Sequence, residues 1–387
     1  MKVLFITLIN PRIGKANVDI FHNAKRLSEL GHEIHLITRK QPGFQGKHKF
    51  DDSITVHRMA FPMPYISLLI CPIFFIRVIF LAGKIQPDVI AAENNLHAPF
   101  AGYLAGRFWR IPYGFLLREL TTDAIFHDHS QFIFKRWGAW LLMKSTHLLL
   151  RRTPHKLSIN QGISDYYRKV LDQLIPSEWL IGYDLENLSI GDSELMGVRN
   201  KYNLAEGEKY LLYAGSLDKH RGLSLVLMAL DGLEKEYRYH LLITGEGKGI
   251  DNLKQFVGQA GLEDRVTFLG WIEERDLYCV AQLAKIGIEP YERLWPQDHT
   301  PSTKIALYIA ADLLVLAKPA PGYAELLSPG TKIHLFKNAE ELRTLLVDLH
   351  GLKSNLLLEN KHEKDLVDSK RTSKCMEAFL LDVAKSG

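Results

Sequence analysis

Tyr210-Leu-Leu-Tyr-Ala-Gly-Ser-Leu217 is an apolar run that stops on Gly215-Ser216, and His240-Leu-Leu-Ile-Thr-Gly-Glu-Gly-Lys248 is a second that stops on Gly245 and Gly247. Between them, the charged Asp218-Lys-His-Arg-Gly222 leads into the helix-like Leu223-Ser-Leu-Val-Leu-Met-Ala-Leu230. Strand, glycine turn and helix then alternate as far as Ala317. Glycines let backbone approach a phosphate, and the helix that follows aims its free N–H groups and positive dipole end at it. A pair of such turns suits a nucleoside diphosphate. Gly215, Ser216, Arg221, Gly245 and Gly247 are therefore candidate binding positions.

The same alternation extends toward the N-terminus. Val3 to Leu8 reads as a buried strand, followed by a loop containing Gly14, which permits close approach of sugar or diphosphate. Val18 to Leu30 has helical spacing, Gly31-His32 stops it, and Glu33 to Thr38 reads as the next strand. Asp88 to Ala92, Pro112 to Leu117 and Lys156 to Ile159 read as further strands, with a helix near Ala98 to Phe108. Strands alternating with helices predict parallel sheets covered on both faces. A chain of 387 residues exceeds one growing core, so two such α/β domains are expected, with a ligand cleft at the carboxyl ends of the strands. The polar, weakly periodic Ile181 to Leu204 is the expected connection.

Composition narrows the function. The formal charge of +4 is too small for a nucleic-acid binder, and suits an anionic small ligand or membrane surface. Three scattered cysteines form neither a disulfide framework nor a metal site. Met1-Lys-Val-Leu-Phe-Ile-Thr-Leu8 lacks the cleavage site of a signal peptide, so a cytoplasmic protein is expected. Two segments depart from the α/β pattern. The apolar stretch from Phe61 to Lys84 contains prolines and Arg77, which argues against a membrane-spanning helix. It is either a core-facing helix or one that dips into a bilayer. The segment from Phe132 to Arg152 mixes Trp137, Trp140 and basic residues, as a membrane interface requires and as an amphipathic surface helix also shows. Both fall in the first half, so peripheral contact with the inner face of a membrane is expected there.

Five fragments, in order, resemble the nucleotide-sugar-dependent glycosyltransferases of the GT-B fold, particularly the large retaining family 4. They are Phe21-His-Asn-Ala-Lys-Arg-Leu-Ser-Glu-Leu-Gly-His-Glu-Ile-His-Leu-Ile-Thr38, Gln86-Pro-Asp-Val-Ile90, Tyr213-Ala-Gly-Ser-Leu217 with Arg221-Gly222, Ile243-Thr-Gly-Glu-Gly247 with Leu262 to Gly270, and Pro301-Ser-Thr-Lys-Ile-Ala-Leu-Tyr-Ile-Ala-Ala-Asp312. The likeness covers nearly the whole chain. It implies two Rossmann-like domains facing across a cleft: an acceptor-binding domain over 1–185, a nucleotide-sugar-binding domain over 186–368, and a C-terminal helix over 369–387 crossing back to the first. It also implies no bound cofactor, with a nucleotide-sugar, UDP-linked, as substrate, and a glycan or lipid-linked acceptor of cell-surface polysaccharide or glycolipid synthesis.

Departures accompany the matches. The family's paired glutamates fall on His299 and Leu307, and leucine cannot accept a ribose hydroxyl. The arginine of its phosphate turn is Ser216, and Asp312 and Leu314 stand where the family has G-x-P. Gly287-Ile-Glu-Pro-Tyr291 and Ser302-Thr-Lys304 look more like divergent inverting glucuronic-acid transferases of exopolysaccharide assembly. Retention or inversion is open on these residues. A nucleotide-sugar 2-epimerase, or a non-catalytic homologue that binds nucleotide or glycan within an assembly complex, fits the same fragments.

Lys304, with Ser302 and Thr303 at a helix start, and Arg221 are the expected phosphate cations, since no metal-binding D-x-D motif is evident. Tyr291 either borders the base or is an ordinary half-buried tyrosine. Glu325 resembles the acidic residue after the family's last donor-side strand. For the acceptor, Glu119 at a strand end is the leading general-base candidate, with an ion pair to Arg118 as the alternative. His97, Asp123 and the His127-Asp128-His129 group rank second. His127 and His129 alone are more ordinary as a polar loop than as a metal site.

Overall fold

Val3, Leu4, Phe5 and Ile6 are all fully buried, as a strand covered on both faces requires, and they lie in β1 (Lys2–Ile6). In the computed structural model, residues 1–7, 18–40, 54–60, 67–94, 97–118, 120, 123, 126, 133–234, 236–292, 299, 302–350 and 361–386 are described. The first sheet adds β2 (Glu33–Lys40), β3 (Ile54–Ala60), β4 (Val89–Glu93), β5 (Tyr113–Leu117) and β6 (Lys156–Ser158). Its order is β3-β2-β1-β4-β5-β6, with every pairing parallel. The second sheet comprises β7 (Lys209–Ala214), β8 (Tyr239–Thr244), β9 (Val266–Gly270), β10 (Ile286–Glu289), β11 (Leu314–Ala317) and β12 (Ile333–Leu335). Its order, β12-β11-β10-β7-β8-β9, repeats that of the first, again all parallel.

The order reverses between β1 and β4 in one sheet and between β7 and β10 in the other. In open sheets of this order the ligand crevice lies at the carboxyl edge, beside the strands where the order reverses. The expected two-sheet α/β architecture of the GT-B type is the one observed. β3 was not legible: Ile54-Thr-Val-His-Arg-Met-Ala60 mixes polar residues into a strand paired only with β2.

Three helices of the first domain bear on function: α1 (Val18–Glu29), α2 (Ser67–Ile85) and α3 (Ala98–Trp109). They are followed by α4 (Ile133–Arg152) and α5 (Gln161–Leu171). On α2, Phe74, Val78 and Ala82 are buried, while Ile73, Ile76 and Phe80 form an apolar stripe facing out. The helix therefore has two apolar faces, one packed on the core and one exposed. Trp109 packs its ring on Gly83 and donates from Nε1 to the Ile79 carbonyl at 2.7 Å, joining α3 to α2.

The segment expected as a polar connection contains α6 (Asp192–Lys201), in which Val198 is the buried residue. A helix burying so little leaves no apolar period to read. In the second half, α7 (Leu223–Asp231), α8 (Ile250–Gln259), α9 (Glu274–Leu283), α10 (Thr303–Ala310) and α11 (Ala339–His350) cover the second sheet. After α12 (Lys361–Leu366), the last helix α13 (Ser369–Lys385) lies on the first domain. There Thr372 donates to Asn23 at 2.6 Å and Phe379 and Val383 cover Gly114. A second tie is His22 of α1, whose Nε2 lies 3.0 Å from Glu274 at the start of α9.

Candidate active site

The glycine turns after β7 and β8 pack on each other. Gly245 has φ +128°, and a Cβ there would lie 1.8 Å from the Gly215 carbonyl oxygen. A Cβ on Gly247 would meet the Leu217 backbone at 2.5 Å, and Leu217 N–H donates to the Glu246 carbonyl. These two glycines were expected to admit phosphate. Here their missing side chains admit the neighbouring turn, which fixes Gly215 and Ser216 at the crevice edge. Gly222, at φ +75°, serves similarly: a Cβ would strike the Pro290 carbonyl at 1.9 Å. That contact seats Arg221 beside the end of β10.

Around this edge the structure brings together five of the candidate residues. Arg221 Nε donates to Ser216 Oγ at 2.7 Å, and its guanidinium lies 5.1 Å from the centre of the Tyr291 ring. Lys304, in the first turn of α10, runs its stem past Gly215 and holds Nζ 5.4 Å from the Tyr213 ring centre. Nζ pairs with Glu289 Oε2 at 2.9 Å. A lysine in a first helical turn opposes the dipole, and the glutamate offsets that cost. Glu289 was not among the sequence candidates, although it closes the strand that the resemblance had marked. Ser302 precedes α10 without a side-chain cap bond, and Thr303 opens the helix. Tyr308 knits the base of the site: its hydroxyl accepts from Ala214 N–H at 3.0 Å and donates to the Ile288 carbonyl at 3.2 Å.

Glu325 lies elsewhere. It is in the turn Pro321–Leu326, next to the start of α5, where Gln161 hydrogen-bonds it, and burial raises its carboxyl above the usual range. Beside it, Asn160 caps α5 by accepting from Ile163 N–H at 2.9 Å and donates to the Gly322 carbonyl at 3.1 Å. This is a seam between the two domains. Leu307 is 2% exposed, inside the core. His299 is half-buried, its ring 6.2 Å from that of Tyr166 on α5.

The carboxyl edge of the first sheet holds a second buried cluster. Glu93, the last residue of β4, accepts from the Thr7 hydroxyl at 2.7 Å and pairs through Oε1 with Arg118 Nε at 3.0 Å. Arg118 N–H donates to Asn94 Oδ1, and Asn94 Nδ2 donates to the Tyr167 hydroxyl. Asp123 is fully buried, accepts from the Tyr166 hydroxyl, and lies 3.2 Å from His147 Nε2. Burial and this carboxylate raise the Tyr166 hydroxyl well above its usual range. Asp123 Oδ1 thus meets two protein groups within a buried cluster. Glu119, Gly14 and His127 to His129 lie outside the described residues. The ion pair considered for Arg118 with Glu119 likewise falls outside them, and Arg118 pairs with Glu93. Among the described residues, no cluster of three or more metal-ligand side chains occurs.

His97 precedes α3 and is 7% exposed, near Phe75. Burial lowers its imidazole from 6.5 to about 4. It is neutral at physiological pH and a weak base, a poor match for abstracting a hydroxyl proton. The unfolded chain takes up a proton near 6.5 that the folded chain refuses until about 4, so stability is full above this window and falls as pH drops through it. Urea unfolding should show a loss of about 3 kcal/mol between neutral pH and pH 4 from this group. His97→Gln should be flatter over the same range by that amount.

Residues 198–349 match the family model described as glycosyl transferases group 1, and residues 16–174 that of glycosyltransferase family 4. The alpha-monoglucosyldiacylglycerol synthase of Streptococcus pneumoniae is 25% identical over 221 residues, 54% of this chain and 48% of that protein. The N-acetyl-alpha-D-glucosaminyl L-malate synthase of Bacillus anthracis is 22% identical over 269 residues, 67% of this chain and 66% of the other. The matched region thus spans about half the first relative's length and two thirds of the second's. Among solved structures, HepE of Anabaena in complex with UDP has a TM-score of 0.75 at 16% identity, covering 99% of this chain and 100% of that one. Sucrose-phosphate synthase of Thermosynechococcus elongatus has a TM-score of 0.81 at 15% identity, with 100% of both chains covered. Paired Rossmann-like sheets of this order define the GT-B class. Within that class, the chain belongs to the glycosyltransferases as a divergent, family 4-like member.

Proposed function

We propose that this protein transfers a sugar from a UDP-linked donor to a glycan or lipid-linked acceptor in cell-surface polysaccharide or glycolipid synthesis. The observation that carries the reading is the convergence of Lys304, Arg221, Ser216 and Tyr291 at the switch point of the second sheet. Two cations there would meet the charge that grows on a departing nucleoside diphosphate, each contact contributing on the order of 1.5–3 kcal/mol. Tyr291, already beneath the Arg221 guanidinium, is placed to border the ligand. The HepE complexes with UDP and with UDP-glucose, and a relative named as a glycolipid synthase, support the donor and acceptor classes. Acceptor-dependent release of UDP from UDP-sugars tests this directly. Turnover of the donor without acceptor would move the assignment to a 2-epimerase. The buried Leu307, which offers a nucleotide no polar contact, favours the non-catalytic binder as second reading; binding without turnover across donor and acceptor panels would select it.

The same proposal places the acceptor side at a membrane. No helix among the described residues is long and apolar enough to cross one. Yet α2, α3 and α4, which pack in sequence, carry no acidic residue. They expose Ile73, Ile76, Phe80, Phe108, Trp137 and Leu141 beside Arg77, Lys84, Arg107 and Lys144. Apolar side chains ringed by cations suit the headgroup boundary of an anionic leaflet, where each basic residue contributes roughly 1 kcal/mol. In flotation assays the protein should bind anionic vesicles and much less to neutral ones. Phe80→Glu with Trp137→Glu should reduce that binding about tenfold or more, since two buried apolar anchors are lost. Equal flotation of the double variant would remove the membrane face.

A further inference from the structure

Glu93 and Glu289 hold the same position in the two domains, each the last residue of the strand beside the topological switch point. Their environments differ. Both oxygens of Glu93 are engaged, Oε2 by the Thr7 hydroxyl and Oε1 by Arg118. Among the described residues, Glu289, which is 1% exposed, has Lys304 Nζ against Oε2, and its buried Oε1 receives no hydrogen bond. A carboxylate offers about four acceptor positions, and leaving a buried one unfilled is costly. Three nearby donors serve other acceptors. Tyr308 OH serves the Ile288 carbonyl, Tyr213 OH the Ser216 carbonyl at 2.7 Å, and Arg221 Nε the Ser216 hydroxyl. A ligand seated in the crevice would supply a donor. An ionised phosphate oxygen accepts and repels, so the donor is an O–H or N–H group, and hydroxyls are the donors a nucleotide-sugar carries in greatest number.

We propose that Glu289 Oε1 accepts a hydroxyl of the bound nucleotide-sugar, so that this residue selects for the sugar part of the ligand while Lys304 and Arg221 hold the phosphates. The assignment rests on the nucleotide-sugar reading above. Lys304 couples the two tasks: as its ammonium moves toward a diphosphate, the Glu289 carboxylate gains capacity for the hydroxyl. The hydroxyl belongs to the ribose or to the transferred hexose, and the ligands below separate these sources.

Calorimetry on the full chain would compare UDP, the dideoxyribose analogue of UDP, UDP-glucose and inorganic pyrophosphate. A ribose contact predicts that the wild type prefers UDP over its dideoxy analogue about tenfold to a hundredfold. A hexose contact predicts a preference of that size for UDP-glucose over UDP. In Glu289→Ala the preference should vanish, while pyrophosphate binds as well as before or more tightly because a nearby negative charge is gone. Glu289→Gln, close in shape, should keep the fold and show a smaller preference, and it decides the matter if the alanine variant does not fold. A preference unchanged in both variants overturns the proposal. So does a parallel loss for all four ligands, which would make Glu289 only a prop for Lys304. If the wild type binds neither UDP nor UDP-glucose, the nucleotide-sugar reading falls first and the Glu289 assignment falls with it.

Discussion

Arg118→Met is expected to lower the free energy of unfolding by about 3–5 kcal/mol, the usual loss when one member of a buried ion pair is removed. Arg118 and Glu93 are 4% and 3% exposed, so neither charge is hydrated in the folded chain. The pair closes the crevice edge of the first sheet by tying the end of β5 to that of β4, with Thr7 adding the end of β1. Methionine fills comparable volume but removes the counter-charge of the buried Glu93 carboxylate, which keeps its hydrogen bond from the Thr7 hydroxyl. The cost is that of an uncompensated charge, not of lost packing. Glu93→Gln should cost a comparable amount, because it removes the counter-charge of the buried Arg118 guanidinium even though the amide still accepts from Thr7. Combining Glu93→Leu with Arg118→Met should recover most of the stability. Urea unfolding of the singles and the double gives the coupling energy, and additive losses would show that the two charges do not compensate one another.

The contrast between what the sequence displayed and what it hid follows from how far apart the interacting parts lie. Tyr210 to Ala214 and His240 to Thr244 were readable because a strand buried on both faces is a continuous apolar run, and the glycines that end it are its neighbours in sequence. The Arg221 and Lys304 cations could be singled out because each stands at a turn before a helix. The carboxylates that pair with cations at the two sheet edges were not readable. Glu93 meets Arg118, and Glu289 meets Lys304, only because the sheet order places those strand ends and helix starts together. Gly245 and Gly247 were read as letting backbone approach a phosphate; in the fold their missing side chains make room for the Gly215 and Leu217 backbone. Glu325 was placed by resemblance alone, and the turn that carries it faces the start of α5. On α2, apolar residues on opposite faces flattened the helical period, so periodicity could not say which face meets the core.

Lys304→Ala is expected to weaken nucleotide-sugar binding, or kcat/KM for transfer, about tenfold to a hundredfold. The same substitution should also destabilise the fold, since it strips Glu289 of its cation. These two effects separate by design. Adding Glu289→Gln to Lys304→Ala removes the buried charge and should restore much of the stability, because no unpaired carboxylate is left. It should leave the loss of affinity for the diphosphate in place, because the cation is still missing. Lys304→Arg is a sharper probe, since a planar guanidinium does not fit the contact with Glu289 and the Tyr213 face as an ammonium does. It should keep the charge yet lose part of the affinity. Kinetics unchanged in Lys304→Ala would mean that the diphosphate is held elsewhere, and that the cluster at the β7–β10 switch point is a structural ion pair. Affinity lost in the single variant and regained together with stability in the double would mean that Lys304 acts only by neutralising Glu289. Loss that persists in the double assigns the ammonium to the ligand itself.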